Sequence, residues 1–272
     1  MSSMLLALDV GNTETTVGLF RGEHLETSWR LTTTPRRTPD EWSAALTAYL
    51  TQAGRSTQEV RAVILASVVP QVTHALCEGI ERAVTVRPVV VDATSRLPIR
   101  LDVDEPLTVG ADRIVNTLAA SRLFGRDTII VDFGTATTFD CITGDGRFIG
   151  GVIMPGVRTA SDELVRKAAK LPAAELVPPS RTIGRRTEDC IRAGVLFGTA
   201  DAVDGIVRRI KAEWPAPAGG ARGVGGGQAP HAVATGGLAG LIVPLTREIE
   251  SLHPDLTLTG LRMAADALGL RW

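Results

Sequence analysis

The chain has 272 residues, 44% hydrophobic and 22% charged, enough to bury the core of one large domain or two smaller ones. Its formal net charge of −1 offers no positive excess for nucleic acid or an anionic membrane, and the pairs Arg36-Arg37, Arg185-Arg186 and Arg208-Arg209 are scattered, as on solvated faces or loops. Cys77, Cys141 and Cys190 are widely spaced, without C-x-x-C, and the histidines lack ligand spacing, which argues against a disulfide framework or a zinc site.

Buried free thiols in a reducing cytoplasm are therefore expected. No basic segment leading into an apolar run opens the chain, so no signal peptide is expected. No apolar run approaches the ~18 residues that span a bilayer.

In chain order, "MLLALDV", "TTVGLF" and "LETSWRL" read as three strands. "TPDEWSAALTAYLTQAG" reads as a helix, with Pro39 near its start, acids in its first turn and Gly54 at its end. "AVILASVV" is a buried-strand run, followed by a helix over about residues 71–83 and a strand "PVVVD". The second half repeats the plan. "TIIVDF", "TTFDCI" and "RFIGGVIM" are strands, with helices expected over about 157–170 and 188–213. A strand "HAVAT" leads through Gly236-Gly237 into another helix, and "LTGLRMAADALGL" closes the chain as a helix. "PAPAGGARGVGGGQAP", residues 215–230, reads as a surface loop. Alternating strands and helices predict an α/β class, and the repeat predicts two related halves with a boundary near 115–127.

The repeat is sharpest in two short stretches. "LDVGNTETT" and "VDFGTATTFD" align Asp9 with Asp132 and Gly11 with Gly134, nearly half the chain apart. A strand ending in Asp-x-Gly-x-Thr and turning into another strand suits phosphate. Glycine lets backbone N–H groups approach an anion, successive turn amides form an anion-binding concavity, and Thr13 and Thr135 add hydroxyls. The aspartate repels phosphate, so its role there is to hold a cation, often through water. A single copy reads equally well as a plain hairpin turn. Neither G-x-G-x-x-G nor G-K-[ST] is present, which excludes the common dinucleotide and P-loop signatures.

Three further stretches carry chemistry. In "VGADRIVNTLAASRLF", Gly110 precedes a periodic helix and Asp112 and Arg113 fall near its first turn; Asp112 could be a cap or a dipole partner there. In "IGRRTEDC", Thr187 before two acids reads as an N-cap. Gly194, Gly198 and Gly205 on the same helix fit close packing, within the chain or against a second copy. Gly236-Gly237 is either an ordinary strand-to-helix turn or a bare backbone approach to a nucleotide.

With these motifs in hand, the chain resembles the superfamily of actin, hexokinase and Hsp70-like ATPases. Within it the chain resembles the type III pantothenate kinases, through "DVGNTETT", "VGADRIVN", "VDFGTATTFD", "GGVIMPG", "AAKLP" and "ATGGLA", in that order. The resemblance implies a duplicated ribonuclease H-like fold. Residues 1–117 and 118–272 would form two similar halves flanking an ATP cleft. It implies ATP with Mg²⁺, a monovalent cation (K⁺ or NH₄⁺), pantothenate as acceptor, a homodimer and a cytoplasmic location, with no nucleic-acid or membrane partner.

For the site, the resemblance implies ATP contacts along Asp9, Val10, Gly11, Asn12, Thr13, Glu14, Thr15 and Thr16, and at Thr135, Gly236 and Gly237. Asp9 would lie near Mg²⁺, and Asp132 would hold the monovalent cation. Gly110, Ala111, Asp112 and Arg113 would bind the acceptor, with Asp112 as catalytic base and Arg113 either a fork donor to substrate or a structural partner of Asp112. Thr187 would reach pantothenate from the partner subunit, and "GGVIMPG" would shape the acceptor pocket mostly through backbone. Two positions depart from the family pattern: Val103 stands where a tyrosine is frequent, and Arg186 where a small polar residue is frequent. The alternatives are a kinase of another small hydroxylated acceptor and a non-catalytic nucleotide-binding regulator of the same fold.

Overall fold

The first strand, β1 (Met4–Val10), is apolar along nearly its whole length because both faces of its sheet are covered. Met4, Leu6, Leu8 and Val10 enter one core with α1 (Pro39–Gln52) and α2 (Pro70–Val84). Leu5 and Ala7 enter a second core with α3 (Ala111–Leu123) and α7 (Leu256–Ala267). Asp9 is the half-buried exception at the strand's end. The computed structural model describes residues 3–214 and 229–272, so the stretch expected as a loop at 215–230 lies almost wholly outside the described residues.

Packing divides the chain into two compact units, residues 1–119 with 256–272, and residues 120–255. In the first unit, β1 pairs antiparallel with β2 (Glu14–Arg21), which pairs antiparallel with β3 (His24–Thr32). On its other side β1 pairs parallel with β4 (Val60–Ser67), and β4 with β5 (Val89–Val91), giving the order β3-β2-β1-β4-β5. A short strand, β6 (Arg100–Leu101), precedes α3. α1 begins with a capping box, Thr38 and Glu41 each bonding the other's backbone N–H, and Gly54 stands just past its end at φ +69.

In the second unit, β7 (Thr128–Phe133), β8 (Ala136–Ile142) and β9 (Arg147–Pro155) form an antiparallel meander. β10 (His231–Thr235) pairs parallel with β7, and β11 (Ser251–Leu252) parallel with β10. The five strands that this unit contributes, in the order β9-β8-β7-β10-β11, repeat the first sheet strand for strand. The expected α/β duplication is therefore present in the connectivity itself. α4 (Val157–Lys167), α5 (Thr187–Glu213) and α6 (Ala239–Ile242) complete this unit. Leu196, Ala200, Val203 and Val207 of α5 pack with Ile129 and Val131 of β7. Among the described residues no helix is long and apolar enough to cross a membrane.

Several expectations change. α7 belongs to the first unit, although sequence order assigns it to the second half: Leu258, Leu261, Ala264 and Ala265 pack with Leu5, Ala7 and Ile64. A Cβ on Gly260 would overlap the Val115 carbonyl oxygen, so α7 and α3 approach backbone to backbone. The helix after Gly236-Gly237 is one turn, Ala239–Ile242, giving way to a 3₁₀ turn that contains Pro244. Of the three cysteines only Cys141 is buried; Cys77 is half-buried and Cys190, on the first turn of α5, is exposed.

Candidate active site

In the first unit the Asp9–Thr16 stretch is a hairpin tip between β1 and β2. Asp9 pairs with Thr16, and the Gly11 N–H donates to the Glu14 carbonyl at 3.0 Å. Asn12, Thr13 and Glu14 are exposed at the tip, with Gly11 and Thr16 half-buried. Val10 and Thr15 face inward. The Val10 carbonyl accepts the Val68 N–H at 3.1 Å, and the Thr15 and Thr33 hydroxyls bond at 2.9 Å in the interior. The Thr33 N–H also donates to the Thr13 carbonyl at 2.9 Å. Thr15 thus anchors the tip to the end of β3, and its hydroxyl is turned away from solvent.

The Gly110–Arg113 stretch lies close by in the same unit. Gly110 caps α3, its carbonyl accepting the Ile114 N–H at 3.1 Å, and a Cβ on Gly110 would meet Val68 Cγ1 at 3.4 Å. Since Val68 is bonded to Val10, the end of β1 and the start of α3 are linked through one residue. Asp112 is the second residue of α3. Its Oδ1 accepts the Arg113 N–H at 2.8 Å and would sit 2.5 Å from a Cβ on Gly110, so the carboxylate curls back over the helix start.

Two effects compete at Asp112. Loss of water around the carboxyl disfavours the ionised form, whereas the Arg113 N–H, the Arg113 charge and the residue's own N–H favour it. The loss of water wins, and the carboxyl is pushed above the ordinary aspartate range. Sequence position alone suggests the reverse, a carboxylate weakened as a base by the helix N-terminus.

The second unit assembles the other set. Asp132 pairs with Thr138, and the Gly134 N–H donates to the Ala136 carbonyl at 3.0 Å. Gly134 and Thr135 are exposed, and Asp132 is half-buried. Gly236 stands at φ +94, and a Cβ there would overlap Asp132 Oδ1 and crowd the Phe133 N–H at 2.6 Å. The Leu238 N–H donates to the Phe133 carbonyl at 3.2 Å. Glycine is thus required at 236 both by backbone conformation and by the carboxylate beside it. What Gly236-Gly237 offers is the bare backbone of this turn and the adjoining Asp132. The Asp132 carboxylate beside this open backbone offers oxygens of the kind a monovalent cation takes, and the Asp9 carboxylate offers oxygens of the kind magnesium takes. Among the described residues no three His, Cys, Asp or Glu side chains are grouped to hold a metal.

Thr187 is the first residue of α5, exposed, with Arg186 in the cap position and no side-chain cap bond, so the expected N-cap role is not the one observed. Thr187 lines a cavity of about 580 Å³ between α4 and α5, with Met154, Leu164, Ile191, Val195 and Gly198. A Cβ on Gly194, Gly198 or Gly205 would meet nothing within 4 Å, so these glycines are not explained by close packing among the described residues. Two residues that sequence reading did not single out adjoin the second hairpin. Gly156, within "GGVIMPG", donates its N–H to the Thr135 carbonyl at 3.1 Å, and the Thr159 hydroxyl donates to the same oxygen at 2.7 Å.

A duplicated sheet with an Asp-x-Gly hairpin at the same strand junction in each unit defines the actin-like ATPase fold. Solved structures agree on the fold. Component A of the Acidaminococcus fermentans (R)-2-hydroxyglutaryl-CoA dehydratase superposes with a TM-score of 0.54 at 15% identity, covering 98% of this chain and 97% of its own. The ethanolamine utilization protein EutJ of Carboxydothermus hydrogenoformans gives 0.53 at 14%, covering 95% and 88%.

Residues 5–209 match the family model described as type III pantothenate kinase. A type III pantothenate kinase of Thermomicrobium roseum is 42% identical over 265 residues, covering 97% of this chain and 98% of its own. One from Moorella thermoacetica is 43% identical over 260 residues, covering 96% and 98%. The chain belongs to the type III pantothenate kinase family, and is a phosphotransferase.

Proposed function

We propose that this chain transfers the γ-phosphoryl group of ATP to the primary hydroxyl of pantothenate, giving 4′-phosphopantothenate, the first step towards coenzyme A. The observation that carries the reading is the placement of Asp112. A crowded carboxylate opens α3 beside the end of β1, in the unit whose hairpin tip presents Asn12 and Thr13.

In the first unit the exposed groups of Asn12 and Thr13 bind phosphate; in the second, Thr135 binds phosphate and Gly236-Gly237 offers its backbone to the adenosine. Val10 and Thr15 form the frame of the first tip. Asp9 would hold magnesium, and Asp132 would hold K⁺ or NH₄⁺. When bound, magnesium would supply positive charge against the phosphates.

In the step itself the pantothenate oxygen forms a bond to the γ-phosphorus and the bond to the ADP oxygen breaks. The hydroxyl proton passes to the Asp112 carboxylate. A loose transition state demands that proton late, so orientation of the hydroxyl by Asp112 matters as much as its basicity. Arg113 and the backbone of Gly110-Ala111 steady the acceptor.

Thr187 contacts pantothenate from a second subunit. The apolar cavity beside it, the open glycine face of α5 and exposed Ile153 and Ile183 support a homodimer built on this face. A cytoplasmic location suits an enzyme that draws on ATP. The test is direct: purified protein, ATP, Mg²⁺ and pantothenate are assayed for ADP and phosphopantothenate, with K⁺, NH₄⁺ or Na⁺ as the only monovalent cation. Product with K⁺ or NH₄⁺ and little with Na⁺ is expected. Absence of product under every salt overturns the reading, and activity indifferent to the cation removes Asp132 from that role.

A further inference from the structure

Thr159 is exposed, on the first turn of α4, and contributes nothing to the core. A threonine there ordinarily bonds water or its own helix. Its hydroxyl instead reaches 24 residues back in sequence to the Thr135 carbonyl, at 2.7 Å. The Gly156 N–H reaches the same oxygen at 3.1 Å, and a Cβ on Gly156 would overlap the carbonyl oxygens of both Gly134 and Thr135. The second hairpin is therefore seated on the start of α4, with one of its carbonyls doubly engaged.

We infer that Thr159 is a positioning residue for the nucleotide. With Gly156 it fixes the Thr135 carbonyl on the α4 side, so that the hairpin tip meets phosphate with its donors. The peptide unit is planar, and a rotation that released this carbonyl would swing its negative end and the adjoining N–H together. An anion site that must reorient its own dipoles on binding loses affinity, and fixing them beforehand restores it. This assigns to the helix that follows "GGVIMPG" a task on the phosphate side, and it rests on the reading of Thr135 as a phosphate contact.

The experiment compares Thr159→Val, which keeps the shape and removes the donor, with Thr159→Ser, which keeps the donor, and with Thr135→Val. Kinetic constants for ATP and for pantothenate are measured, together with calorimetric affinity for a non-hydrolysable ATP analogue and the Tm. Thr159→Val is expected to raise both the KM for ATP and the analogue Kd by about three- to tenfold, the factor one neutral hydrogen bond carries. The KM for pantothenate and the Tm stay at the wild-type values, and Thr159→Ser restores nucleotide affinity. Unchanged analogue affinity in Thr159→Val, with affinity lost in Thr135→Val, overturns the positioning role alone. Unchanged affinity in both overturns the phosphate reading of Thr135 and the inference with it. Equal losses for ATP, pantothenate and Tm in Thr159→Val reduce Thr159 to a structural residue and also overturn it.

Discussion

In the first hairpin Asp9 pairs with Thr16 and the Gly11 N–H closes on Glu14; in the second Asp132 pairs with Thr138 and the Gly134 N–H closes on Ala136. The first tip is one residue longer. It exposes Asn12, Thr13 and Glu14, and it is tied from within by the Thr15–Thr33 hydroxyl pair. The shorter tip exposes Gly134 and Thr135, is backed from outside by α4, and has Gly236 against its aspartate. One sheet position has thus been furnished twice, with more polar groups in the unit that carries Asp112 and with the Gly236 turn in the other. Duplication supplied the scaffold, and what lies beside each tip separates the roles.

The largest effect should come from the feature that only the first unit has. Asp112→Asn is expected to lower turnover by about 10²–10⁴-fold, the range for removing a general base, measured by coupled assay. Its pKa gives the comparison a second readout. In the wild type the acid limb of kcat/KM should fall above the ordinary aspartate range (about 3.9). For stability, a raised folded-state pKa means the fold binds the proton more tightly than the unfolded chain does. That contribution is present below the unfolded pKa and is lost as pH rises through the folded one. Asp112→Asn should therefore be more stable than wild type near neutral pH in urea denaturation, while being far less active. A variant equally active, or less stable, would remove Asp112 from its assigned role.

Next come the paired carboxylates. Asp9→Asn should lower kcat/KM for ATP by about 10- to 100-fold and raise the Mg²⁺ needed for half-maximal rate, as loss of a metal's partner does. Asp132→Asn should raise the K⁺ needed for half-maximal rate by about tenfold with Mg²⁺ dependence little changed. Identical profiles in the two variants would erase the distinction between the hairpins. Smaller again, Thr15→Val leaves the Thr33 hydroxyl buried without its partner and should cost about 1–3 kcal/mol by denaturation. The Thr15→Val/Thr33→Val double variant should recover most of that.

The smallest contrast lies in the glycines, neither of which has a positive φ. A Cβ at Gly134 meets Ala136 O at 3.5 Å, an ordinary contact, whereas at Gly11 it meets Glu14 O at a tight 3.1 Å. Gly134→Ala should shift stability by less than about 1 kcal/mol, and Gly11→Ala should cost more, again read by denaturation.

The strands, and the two hairpins they form, could be read from sequence because they are written locally, in alternating apolar residues and a turn. "GADR" at a helix start was legible for the same reason. The contacts that complete the site were not, because each joins residues distant in sequence: Thr15 with Thr33, Gly236 with Asp132, Thr159 with Thr135. Thr187 misled because a threonine before two acids is the local pattern of a cap, yet the chain enters α5 one residue earlier, at Arg186. The basicity of Asp112 was misjudged because a helix start is visible in sequence and crowding is not.

The return of α7 to the first unit makes the order of synthesis matter. Residues 120–255 hold all the strands of the β7–β11 meander and crossover, and they leave the ribosome before residue 256. Until α7 emerges, Leu5, Ala7, Ile64 and Val115 lack the Leu258, Leu261 and Ala264 that cover them. The unit begun first in translation is thus the one finished last. Until then α3 alone covers that apolar sheet face, and the part left open is the surface on which a chaperone would act or aggregation would begin.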